Sequence, residues 1–241
     1  MPETLVFLPA WNEERNLPSV LDELHAELPD ADVLVVDDGS TDATADVARA
    51  HGADVVSFGS NRGLRAAIAA GYGAAAERGY ALCGRVDADG QHPVAELQRL
   101  LERVRSGSCD VAVGSRFVAG DGYDAYRYRP SADRALGTAV LRRLMELRLD
   151  RPFGDATSGL YAVNAQAATL LAHPYVSDAP EVEGLIRLAE AGLRVEEVAV
   201  DMRVRQDGES KLAGRKALKL VLTVGATIFL GRRVLRRLRR S

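Results

Sequence analysis

Residues 33–51 read Val33-Leu-Val-Val-Asp37-Asp-Gly-Ser-Thr-Asp42-Ala-Thr-Ala-Asp-Val-Ala-Arg-Ala-His51. The aliphatic run Val33–Asp37 closes on acids and has the length and composition of a buried strand. Ser40, Thr41 and Asp42 are capping residues, so a helix is expected from Asp42 to His51. A strand, a polar turn and a helix in direct succession form one βα unit.

The same order recurs on both sides. Strands are expected over Thr4–Leu8, Asp54–Phe58, Ala81–Val86 and Val111–Gly114. Between them lie a helical stripe of Leu17, Val20, Leu21, Leu24 and Leu28, an alanine-rich helix from Arg65 to Arg78, and a leucine-faced helix from Val94 to Arg105. Such a series needs right-handed crossovers, which place the strands parallel in one sheet with ligands beyond their carboxyl ends. The fold class is therefore α/β, a mostly parallel, Rossmann-like central sheet flanked by helices. From Val118 to Ser131 the chain turns rich in Gly, Asp, Tyr and Arg, the composition of a mobile loop over the site. A helix over Arg134–Leu149, a strand over Leu160–Val163, helices over Ala165–Ala172 and Pro180–Ala191, a strand over Val195–Arg203 and a last helix from Arg215 to about Leu238 complete the reading, with no internal repeat.

The chain has 241 residues, 47% hydrophobic and 27% charged, enough for one large α/β domain or two small ones. That excludes a disordered, fibrous or peptide-scaffold class. The net charge of −3 conceals an asymmetry, because residues 1–210 carry 21 bases against 34 acids while Lys211–Ser241 carries ten bases and no acid. All three lysines, Lys211, Lys216 and Lys219, fall in this tail, which points to an anionic surface as its partner. Cys83 and Cys109 lack metal-ligand spacing and read as buried thiols in a reducing compartment. The first residues lack a basic segment before a short, strand-length apolar stretch, so cytosolic synthesis is expected.

Chemistry concentrates at strand ends. Asp87-Ala88-Asp89-Gly90-Gln91 follows the fourth strand, and in an extended segment residues i and i+2 face the same way. Asp87, Asp89 and Gln91 then offer one point the hard oxygen ligands that Mg²⁺ or Mn²⁺ prefers. Asp37 and Asp38 close the second strand, and Pro9-Ala-Trp11-Asn-Glu13-Glu closes the first. Carboxylates so gathered call for a cation, and Trp11 offers a flat face to a nucleobase. Gly71-Tyr-Gly73 lies inside a helix and reads as packing glycines, not a dinucleotide loop. None of the four histidines has ligand spacing, and His92 alone adjoins the acidic motif.

Taken in order, Pro9-Ala-Trp-Asn-Glu-Glu14, Val36-Asp-Asp-Gly-Ser-Thr-Asp-Ala-Thr44, Asn61-Arg-Gly63, Asp87-Ala-Asp-Gly-Gln-His-Pro93, Gly114-Ser-Arg116, Asp155-Ala-Thr-Ser158-Gly159 and Gly208-Glu-Ser-Lys211 resemble the motifs of family-2 glycosyltransferases over about residues 4–212. Within that family the pattern looks most like the polyprenyl-phosphate sugar transferases, which include dolichyl-phosphate mannose synthase. The resemblance implies a GT-A fold, a nucleotide-diphosphate sugar donor, Mg²⁺ or Mn²⁺, and transfer with inversion. It implies that Pro9, Trp11, Glu13, Asp37, Asp38 and Asn61 hold base and ribose, and that Asp87, Asp89 and Gln91 hold the metal. Arg65 stands where the family usually has a small residue. Asp155 is either the base for a hydroxyl acceptor or an orienting group near the anomeric carbon.

An acceptor phosphate is already largely anionic at neutral pH, so it needs cations more than a base. Arg116, Arg127, Arg129 and Arg134 are close enough in sequence to form one anion clamp, with Arg116 and Arg134 preferred, and Lys211 is placed to reach the donor phosphates.

The expected organisation is a catalytic domain over 1–212 and an apolar, basic segment over 213–241. Leu220–Leu230 is uncharged and, as a helix, about 16 Å long, roughly half the hydrocarbon thickness of a bilayer. It is too short to span and, with arginines beyond it, suits a helix in the interface of an anionic membrane. The expected location is cytoplasmic and peripheral, at the inner face of the membrane. Nucleic acid fits poorly, because the body is acidic and no aromatic platform accompanies the arginines. A soluble hydroxyl acceptor with an oligomerising tail, and a non-catalytic nucleotide-sugar-binding protein, are the alternative functions.

Overall fold

The structure, a computed structural model, describes residues 3–120, 122–123, 146 and 153–203. Strands β1 (Thr4–Ala10), β2 (Asp32–Asp37), β3 (Asp54–Ser57), β4 (Leu82–Arg85), β5 (Val111–Ser115), β6 (Tyr161–Asn164) and β7 (Val195–Ala199) form one sheet in the order β3-β2-β1-β4-β6-β5-β7. All neighbouring strands pair in parallel except β6, which runs antiparallel to both β4 and β5. The helices are α1 (Leu17–Glu27), α2 (Thr44–Ala50), α3 (Leu64–Glu77), α4 (Val94–Arg105), α5 (Ala165–Leu171) and α6 (Pro180–Glu190).

The central strands are covered on both faces, as their unbroken apolar runs require. Along β1, Leu5 and Phe7 join a core with Ile68 and Tyr72 of α3, Ala168 of α5 and Ile186 of α6. Val6 and Leu8, pointing the other way, join Leu21 and Leu24 of α1 and Leu97 and Leu100 of α4. Burial pushes both thiols up, Cys109 to about 11, so Cys83 and Cys109 are the inert buried cysteines expected.

The strand order reverses between β1 and β4, so a crevice opens outside their carboxyl ends. Antiparallel β6 delivers its preceding residues, 155–160, to that same rim. The one strand substantially shorter than expected is β7, which stops at Ala199, with a last amide hydrogen bond from Val200 to Ser115 O at 3.2 Å. Helix 134–149, apart from Glu146, and helix 215–238 lie outside the described residues.

The two glycines of α3 separate cleanly. A Cβ on Gly71 would lie 2.1 Å from Phe7 Cδ2, whereas one on Gly73 would meet nothing within 4 Å. Gly71→Ala is therefore expected to cost about 2 kcal/mol by overpacking. Gly73→Ala should be neutral or stabilising by up to about 1 kcal/mol through helix propensity. Urea unfolding of both variants checks this, and equal midpoints would contradict the packing.

Candidate active site

The loops after β1 and β2 are stitched to each other. Asn12, at φ 56°, accepts the Thr41 amide on Oδ1 at 2.9 Å and donates its own amide to Ser40 Oγ at 2.9 Å. The Glu13 and Glu14 amides donate to Thr44 Oγ1 (2.9 Å) and Asp42 Oδ2 (3.3 Å). Glu13 accepts from Asn16 Nδ2 at 2.8 Å, Pro9 is buried in β1 opposite Val36, and Trp11 stands 45% exposed beyond the strand end.

Asp37 and Asp38 are buried, and each holds a loop. Asp37 accepts from the Ser40 amide at 3.0 Å and from the Ser57 hydroxyl. Asp38 accepts the Arg62 and Gly63 amides on its two oxygens, at 2.7 and 2.8 Å. Gly39, at φ +69°, lies so close to this second loop that a Cβ would sit 2.4 Å from Ser60 C and 2.6 Å from Asn61 N. Asn61 is thereby placed on the rim beside the β1 and β2 loops. Arg65 leaves it clear, turning to Asp178 at 3.3 Å.

The acidic motif is not extended, contrary to the geometry assumed from its spacing. β4 ends at Arg85, and Ala88–Gly90 turns, with Gly90 at φ +73°. Asp89 is buried and accepts the Gln91 amide (3.1 Å) on one oxygen and Gln91 Nε2 (2.6 Å) on the other. Asp87 is 36% exposed, lies 3.3 Å from Arg85 Nη2, and has its Oδ2 where a Cβ on Gly159 would approach to 2.3 Å. The Ser158-Gly159 motif is thus explained by a carboxylate lying against backbone. His92 is buried and accepts the Asp87 amide on Nδ1 at 3.1 Å. Burial lowers its pKa, with the charges of Asp87 and Asp89 pulling the other way. A ring that accepts on Nδ1 is the neutral Nε2–H tautomer, a spacer here. Among the described residues no three His, Cys, Asp or Glu side chains cluster as a metal site. Asp87, just before the turn, and Asp89, within it, carry the hard carboxylate oxygens that would suit a divalent ion.

Arg116 and Asp155, expected as separate actors, are partners. Arg116 Nε and Nη2 reach Asp155 Oδ2 and Oδ1 at 2.6 and 2.8 Å, in a forked pair whose carboxylate is fully buried. Glu197 on β7 fixes this carboxylate from behind, accepting the Gly154 and Asp155 amides at 2.7 and 2.9 Å. At the other end of the rim Arg203 donates its amide to Gln91 O at 2.8 Å and pairs with Glu23 at 2.6 and 2.7 Å.

Trp11, Asp37, Asp38, Asn61, Asp87, Asp89, Gln91 and Arg116 all follow or close the carboxyl ends of the parallel strands, and Asp155 reaches the same rim ahead of β6. Arg127, Arg129, Arg134 and Lys211 lie outside the described residues. Arg85, Glu181 and Glu197 were not singled out. A charge inside the otherwise apolar stretch Ala81–Val86 is the signal that could have found Arg85.

Residues 5–166 match the sequence model of glycosyl transferase family 2. The chain belongs to family 2 of the glycosyltransferases. Two similar relatives are the polyprenol monophosphomannose synthase of Mycolicibacterium smegmatis, 32% identical over 88% of this chain and 81% of that protein, and the undecaprenyl-phosphate mannosyltransferase of Micrococcus luteus, 34% identical over 87% of each. Glucosyl-3-phosphoglycerate synthase from Mycobacterium tuberculosis, solved with Mn²⁺, UDP-glucose and phosphoglyceric acid, superposes with a TM-score of 0.69 at 22% identity, covering 94% of this chain and 80% of that one. The same protein has also been solved with Mg²⁺ and UDP. The glycosyltransferase thus has the GT-A fold that the resemblance of its motifs implied.

In this glycosyltransferase, Arg116→Ala should cost about 3 kcal/mol because it strands the fully buried Asp155 carboxylate, and Asp155→Ala should cost less because the Arg116 guanidinium it strands is partly exposed. The double variant should cost at least about 1 kcal/mol less than the two combined. Denaturant unfolding of all three variants tests the coupling, and strict additivity would show the pair to be energetically idle.

Proposed function

We propose that this glycosyltransferase moves a sugar, with inversion, from a nucleotide-diphosphate donor to a polyprenyl phosphate at a membrane surface. The observation that carries the acceptor class is the Arg116–Asp155 pair. The guanidinium engages both carboxylate oxygens of Asp155, and the Arg116 amide and the Thr157 hydroxyl meet the same oxygens at 3.3 and 3.2 Å, so no acceptor site of Asp155 is left open to a substrate proton. An acceptor phosphate asks for no base, and it asks for a fixed cation, which Arg116 is. The names of the relatives from M. smegmatis and M. luteus support the same class.

In this reading Trp11 gives the base its face, and Pro9, Glu13, Asp37, Asp38 and Asn61 shape the base and ribose pocket through the loops they hold. Asp87, Asp89 and Gln91 would hold Mg²⁺ or Mn²⁺, whose chemistry is to stabilise charge developing on the leaving diphosphate. Arg134 joins Arg116 on the acceptor phosphate, and Lys211 reaches the donor phosphates. Residues 1–212 form the catalytic body and 213–241 its attachment to the inner face of the membrane. Among the described residues no helix is long and apolar enough to cross a membrane.

A panel of nucleotide sugars with Mn²⁺ and a polyprenyl phosphate, scored for lipid-linked product, tests the reaction. Product is expected with one donor, and Asp89→Asn or EDTA should lower it by about 100-fold or more. Transfer to a free hydroxyl acceptor with none to the lipid phosphate would overturn the reading.

The basic, apolar segment generates a second expectation. Full-length protein should float with anionic liposomes and less with neutral ones, while protein lacking residues 215–241 should stay behind. Equal recovery of the two forms would count against the attachment.

A further inference from the structure

Arg85 is a buried cation at the end of β4, beneath the rim. Its side chain is 3% exposed, and both of its ion-pair contacts use the same nitrogen: Nη2 lies 3.0 Å from Glu181 Oε1 and 3.3 Å from Asp87 Oδ1. Its Nε is a buried polar atom without a partner, and so is the hydroxyl of Tyr161, which stands opposite Arg85 in the β4–β6 register. The guanidinium is therefore gripped at one corner, and Glu181 and Asp87 share that corner. Glu181 lies in the first turn of α6, with its side chain 15% exposed.

Two consequences follow for Asp87. A buried guanidinium a few ångströms from a carboxylate reduces the attraction of that carboxylate for any other cation, and Glu181 restores it by cancelling the guanidinium charge. Glu181 also draws Nη2 away from Asp87. Without it, Arg85 is free to turn its full fork onto Asp87, the better-paired geometry for an arginine and a carboxylate. The backbone of Gly159 lies against Asp87 Oδ2 and limits the turns that the carboxylate can make.

We propose that Glu181 is a positioning residue that acts through Arg85 on Asp87, keeping that carboxylate oriented toward the divalent cation of the sugar donor. The inference rests on the metal role proposed above for Asp87. It accounts for a buried cation beside a cation site: the Arg85–Glu181 pair orients a ligand while adding no net charge.

The test is titration of Mn²⁺ into the full-length protein with UDP, and separately with GDP, read from the electron paramagnetic resonance of the free ion after subtraction of the nucleotide blank. Glu181→Gln should weaken Mn²⁺ about tenfold. Arg85→Gln/Glu181→Gln, which removes both charges, should return it to within about threefold of wild type, since a buried pair replaced as a unit is tolerated. A merely structural role for Glu181 predicts the reverse, a double variant at least as weak as the single one. Wild-type affinity in Glu181→Gln, with Asp87→Asn binding no ion, overturns the inference alone. No protein-dependent Mn²⁺ binding by wild type with either nucleotide overturns the metal reading and the inference together. Should Glu181→Gln fail to fold, Arg85→Lys carries the test: it keeps the charge but loses the planar fork, and unchanged Mn²⁺ affinity in that variant overturns the inference.

Discussion

Carboxylates gathered at the carboxyl ends of parallel strands repel one another, and a sheet that crowds them at one rim must offset each one from elsewhere in the chain. The offsets here are of two kinds. Asp37, Asp38 and Asp89 are met by N–H and hydroxyl donors, Asp38 by the loop after β3, Asp37 by Ser40 of its own loop and Ser57 of β3, and Asp89 by Gln91 of its own turn. Asp87 and Asp155 are met by arginines. Neutral donors satisfy a carboxylate without cancelling its charge, so the rim remains electronegative around a few fixed guanidinium groups.

The second arginine-held acid shows how the sheet organises the site. Antiparallel β6 enters between β4 and β5, so the residues that precede it arrive where the parallel strands finish. Gly159 is thereby laid against Asp87, and Asp155 against Arg116. Glu197 from β7 holds the backbone of the same segment. A parallel strand at that position would have sent residues 155–159 to the opposite edge.

The strands and helices were legible because strand runs and helical stripes have different periods, and boundaries moved mostly by a residue or two. Val94–Arg105 needed no adjustment. The rim was legible too, since acids after aliphatic runs mark strand ends in a parallel sheet. Partnerships were not. Arg116 and Asp155 were both visible as motif residues, but only tertiary structure makes them one ion pair. The turn at Ala88–Gly90 was hidden because alternation assumes a strand that had already ended at Arg85. Glu181 and Glu197 lie in no motif: a glutamate in a helix's first turn and another in an edge strand look like ordinary solvated charges until their partners are placed.

Arg203 ties the end of the described chain to the acidic turn through Gln91 and to α1 through Glu23. Arg203 therefore sits at the lip of the crevice and not on the far side of the sheet. A surface that held the following residues would set both the height and the tilt of the crevice above it. An acceptor tethered in that surface would then have only a short distance to travel, and the choice of acceptor would rest on reach as well as on the chemistry of its head.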